Sequence, residues 1–81
     1  MRSLANSQKD LAERLSRYLR DRTKEAGVPY VELVERLKRH GFPNETEDSV
    51  KHKMRRGTFP ATFFFAVLAA IDQPDVRLRD F

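Results

Sequence analysis

Residues 63–71 read FFFAVLAAI, an unbroken apolar run in a chain of 81 residues of which 35% are charged. The run is far short of the roughly 20 residues a membrane span requires. It is therefore expected to be a buried helix, and no membrane partner is expected. A helix that is apolar on all sides must be covered from several directions. The rest of the chain has to supply amphipathic segments that wrap around it. At 81 residues there is room for one small domain and one core.

Glycine and proline punctuation divides the chain accordingly. Leu11, Leu15, Tyr18 and Leu19 recur on one helical face, with Ser7 and Asp10 as a capping pair before them and Gly27 after them. Pro29 suits the first position of a second helix whose stripe is Tyr30, Leu33, Val34 and Leu37. The sequence HGFP closes it, with Gly41 as the C-cap and Phe42 folding back. Asn44 and Glu47 have capping-box spacing ahead of a third helix, where Val50 and Met54 are the apolar pair and Gly57 is the stop. The expectation is an all-α domain over about residues 1–72, with helices at about 8–26, 29–40, 45–56 and 60–72. Residues 73–81 form a tail whose Val76, Leu78 and Phe81 alternate with charges, as a short strand or an arm onto a partner.

The formal charge is +4, and its location is informative. Between Arg36 and Arg56 lie seven Lys/Arg against three acids, whereas the rest of the chain carries nine of each sign. A clustered positive surplus fits a polyanionic partner. With Val50 and Met54 facing the core, about 100° per residue turns Lys51, His52, Lys53, Arg55 and Arg56 outward over a broad arc. Cations on a rigid backbone suit phosphate contact. A plainer arrangement also explains the polarity. Glu45, Glu47 and Asp48 at the start of the helix and bases at its end both favour its dipole, and Glu47–Lys51 and Asp48–His52 have pairing spacing. Positive surplus and helix order, rather than that polarity, argue for nucleic acid.

The stretches LRDRTKEAGVPYVELVERL (Leu19–Leu37) and KMRRGTFP (Lys53–Pro60) together resemble the lambda-repressor-like helix-turn-helix proteins of the Cro/XRE type. The combination GVPYVELVERL, ETED, RRGTFPATFF and LAAI is also similar to a small bacterial domain family of unknown function, over about Leu11 to Ile71. The repressor-like resemblance implies a fold of four to five helices and binding of double-stranded DNA by the third helix in the major groove. It implies Asp48, Ser49, His52 and Lys53 at base-facing positions and Tyr30 at a phosphate. The departures are Pro29 in place of a Thr cap, Val34 in place of a small Ala, a turn lengthened over His40–Asn44, and an apolar pair four rather than three apart.

The function expected is therefore DNA binding in transcription control. Ser49, Lys51, His52, Lys53, Arg55, Arg56 and Tyr30 are the candidate contacts. A homodimer is expected through Phe64, Leu68, Val76, Leu78 and Phe81. The alternative is a protein-interaction adaptor on the same fold. No nucleophile–base set, metal cluster or Gly-rich phosphate loop stands out, so no enzyme, cofactor or small-molecule substrate is expected. No apolar leader segment is visible, and the chain contains no cysteine, which fits a cytoplasmic protein.

Overall fold

The computed structural model describes residues 4–81 and is all-α. Its elements are α1 (Gln8–Glu25), α2 (Tyr30–Lys38), α3 (Glu47–Arg56), α4 (Ala61–Ala70) and one 3-10 turn at Leu78–Asp80. The first three residues of the expected domain lie outside the described residues. The helix backbones meet as a closed ring of neighbours: α1 packs on α3 and α4, and α2 packs on the same two. Phe63 and Val67 of α4 are fully buried with Leu19, Leu33, Leu37, Val50 and Met54 from the other three helices. Each such side chain contributes about 1.5–3 kcal/mol on burial.

The helix ends differ from expectation in informative ways. Ser7 Oγ accepts the Asp10 N–H at 3.0 Å, but Asp10 does not return to Ser7. Its Oδ2 accepts the Asn6 N–H at 3.0 Å, one residue earlier. That backbone donor, with Arg14 also contributing, holds the Asp10 carboxyl below its ordinary range despite partial desolvation. α2 stops at Lys38, because Gly41 at φ 92° reverses the chain and the Phe42 N–H reaches the Leu37 carbonyl at 3.0 Å. α3 is capped not by Asn44 and Glu47 but by Thr46 and Ser49. Thr46 Oγ1 accepts the Ser49 N–H at 3.1 Å, and Ser49 Oγ accepts the Thr46 N–H at 2.8 Å. Two hydroxyls satisfy both orphan donors, and Glu45 is left outside the helix.

α4 ends in the same kind of reversal without a glycine. Asp72 takes φ 58°, and the Gln73 N–H bonds the Leu68 carbonyl at 2.9 Å. Arg36 of α2 donates from Nη1 to the Ala70 carbonyl at 2.8 Å, filling an acceptor that the helix end leaves open.

The tail is neither a strand nor a free arm. It returns to α1, where the Phe81 ring lies 4.3 Å from Tyr18 and 6.4 Å from Phe64. Arg14 Nη1 donates to the main-chain oxygens of Phe81 at 2.9 Å and Leu4 at 3.0 Å. Four of the five residues expected at a dimer contact also serve the chain's own packing. Phe64, Val76 and Phe81 pack against the chain's own core, and Leu68 is buried within it. Of the five, Leu78 alone is open, at 61% exposure. The face that α4 leaves uncovered carries Phe65 and Ala69 instead.

Candidate nucleic-acid interface

α3 owes its position to three features. Val50 and Met54, one turn apart, are fully buried between α1 and α2. The Thr46–Ser49 cap fixes its start. Its end is fixed by Gly57, which has φ 69° and lies so close to α1 that an added Cβ would be 1.9 Å from the Ala12 carbonyl oxygen. No L side chain fits that approach, and few adopt that backbone. The helix is therefore held against α1 at its C-terminal end, where its basic residues are concentrated.

The five bases do not behave alike. Lys53 does not point outward as expected. Its ammonium pairs with the Glu45 carboxylate and lies 5.1 Å from the Phe63 ring centroid and 6.0 Å from that of Phe42. The Glu45 side chain is only 11% exposed. Burial pushes its carboxyl up, but hydrogen bonds from Lys53 and Ser49 outweigh that and hold it below the usual carboxylate range. Ser49 Oγ, 2.7 Å from Glu45 Oε1, serves the cap and the buried pair together.

Lys51, His52, Arg55 and Arg56 are exposed, and none forms an ion pair among the described residues. The expected Glu47–Lys51 pairing gives way to a contact between helices. Lys51 Nζ stands 5.4 Å from the ring centroid of Tyr30 at the start of α2. Such cation–π contacts leave the ammonium open to a further anion. Arg56 Nη1 lies 3.5 Å from His52 Nε2, a spacing at which a neutral His52 can accept from the guanidinium. Glu47 and Asp48 stay exposed in the first turn, where the helix dipole favours them.

The structure thus groups Tyr30 and Lys51 across α2 and α3, and His52 with Arg56 on the outer side of α3. Ser49 and Lys53 are set apart in a partly buried knot with Glu45. Glu45 is the participant that sequence reading missed. It lies before the cap, and its partner is eight positions away, outside the three- and four-residue spacings that reveal helical pairs. Its only signal in the sequence is an acid just ahead of a basic helix.

Among the described residues, no group of three or more His, Cys, Asp or Glu is placed to hold a metal ion. No described helix is long and apolar enough to cross a membrane. The molecule is thus a small all-α domain with an exposed basic face on α3. Residues 11–76 match the family model described as Domain of unknown function (DUF6471), and the chain belongs to that family. No curated protein and no solved structure gives a significant match.

Proposed function

We propose that this domain binds double-stranded DNA through the exposed side of α3 and acts in transcription control, as a variant of the lambda-repressor-like helix-turn-helix. The observation that carries the reading is the set Lys51, Arg55 and Arg56, with His52 among them. These side chains are exposed on a helix held at both ends, and none is neutralised by a carboxylate among the described residues. Phosphate contact requires such cations on a firm support. The contact of α2 with α3 supports the reading, although residues 39–46 make the connection longer than the usual three- to four-residue turn.

The contacts divide by role. Lys51, Arg55 and Arg56 supply phosphate contacts, with Tyr30 supporting Lys51. His52, on the same exposed side, is the candidate for a base edge. Ser49 and Lys53 act behind this surface by fixing α3 rather than by touching DNA. Asp48, exposed in the first turn, repels phosphates and accepts from cytosine N4 if that end enters the groove.

The test is a salt titration against a random-sequence duplex. Log K falls by about 0.9 per unit of log salt for each phosphate neutralised, so three cations give a slope of roughly −2 to −3 per protomer. Binding with that slope supports the reading. No binding at low salt overturns it and leaves the protein-interaction reading.

A further inference from the structure

A second surface is independent of the DNA reading. Phe65 is 63% exposed and, among the described residues, is one of three large apolar side chains open to solvent, with Val31 and Leu78. Beside it lies a recess of about 380 Å³ lined by Leu68, Ala69, Gln73, Pro74 and Val76. A projecting ring next to an apolar hollow is a shape that can complete itself: a ring from a second copy enters the hollow, and its own hollow receives the first. The charges have the same property. The segment that supplies Gln73, Pro74 and Val76 to one wall carries acids at Asp72 and Asp75 and then bases at Arg77 and Arg79, all four exposed and without an ion pair among the described residues, ahead of Asp80, which reaches Arg22. A two-fold axis lays two such segments antiparallel, placing the acidic half of each against the basic half of the other.

We propose that this face is the site of an isologous dimer: Phe65 of each copy inserts into the hollow beside Phe65 of the other, and Asp75 faces Arg77 and Arg79 across the axis. Of the residues the sequence pointed to, Leu68 and Val76 line this hollow, whereas Phe64 and Phe81 pack with Tyr18 within one chain. The dimer is a weak, reversible one. A single ring and a shallow hollow on each copy are less than the roughly 20–30 residues a side of a standard stable interface.

Sedimentation equilibrium over a concentration series tests the proposal without DNA. The wild type should show a concentration-dependent monomer–dimer equilibrium, and Phe65→Glu should raise its dissociation constant at least about tenfold, with an unchanged helical spectrum. The sharper test uses charge. Asp75→Lys alone should weaken self-association, as should Arg77→Glu with Arg79→Glu. Asp72 is left intact because of its left-handed backbone. Mixing the two variants should restore dimers, since each then offers the sign the other lacks. A wild type that stays monomeric at millimolar concentration would overturn the proposal. So would a Phe65→Glu protein that dimerises like the wild type, or charge variants that associate no better together than apart.

Discussion

α1 and α3 are both rich in basic side chains but use them differently. On α1, Arg14 binds Asp10 and two main-chain oxygens, Arg20 donates to the Ser16 carbonyl, and Arg22 pairs with Glu25, reaches Asp80 and covers the Tyr18 ring. These three guanidiniums hold the helix to the tail and to its own turns, while Lys9, Arg17 and Lys24 are exposed without an ion pair among the described residues. On α3, only Lys53 is used in this way; Lys51, Arg55 and Arg56 meet a ring, solvent and a histidine, with no carboxylate. Charge count does not separate a structural basic helix from a binding one. The difference here lies in spacing: the exposed bases of α3 fall within residues 51–56, whereas those of α1 that lack an ion pair are spread over residues 9–24.

This contrast can be challenged first at the junction of the two helices. Gly57→Val puts a β-branched side chain at φ 69° and into the Ala12 carbonyl. The expected cost is at least about 3 kcal/mol, or failure to fold, read by thermal denaturation. A value under 1 kcal/mol would mean that α3 is not seated on α1 as described.

Arg14→Ala comes next, because it removes the hydrogen bonds joining α1 to Leu4 and Phe81. It should cost about 1–3 kcal/mol in chemical denaturation. Arg55→Ala should change stability by less than about 1 kcal/mol, since only a helix-end charge is lost. Equal losses from the two variants would erase the distinction between the helices.

A smaller effect sharpens the place of Lys53. Glu45→Gln should cost roughly 1–2 kcal/mol at neutral pH. The sign with pH follows from the lowered carboxyl. A folded-state pKa below the unfolded value near 4.3 contributes stability that is fully present above that value and lost as pH falls through the folded pKa. The difference between wild type and Glu45→Gln in parallel denaturation curves should therefore shrink below about pH 4.3. A difference independent of pH would show that the pair contributes through shape alone.

Much of the fold was legible because it rests on local periodicity. The all-round apolarity of α4, the core-facing pair Val50 and Met54, and the stop at Gly57 all follow from helical spacing and backbone preference. The errors fell where tertiary register decides. Nothing local distinguishes Phe64 from Phe65, yet a rotation of one residue buries the first against Tyr18 and leaves the second in solvent. Helical projection placed Lys53 outward, whereas its flexible stem leans over Phe63 to reach an acid outside the helix. Lys51 was expected to pair with Glu47, but Tyr30 on another helix holds it.

The central claim is that the bases on the open side of α3 are unneutralised because they meet phosphates. The most direct measurement compares salt slopes for duplex binding by the wild type and by the triple variant Lys51→Ala, Arg55→Ala, Arg56→Ala, with helicity checked for both. The account predicts that the wild-type slope of roughly −2 to −3 collapses toward zero in the variant, with the fold retained. A folded variant that binds DNA with the wild-type slope would contradict it.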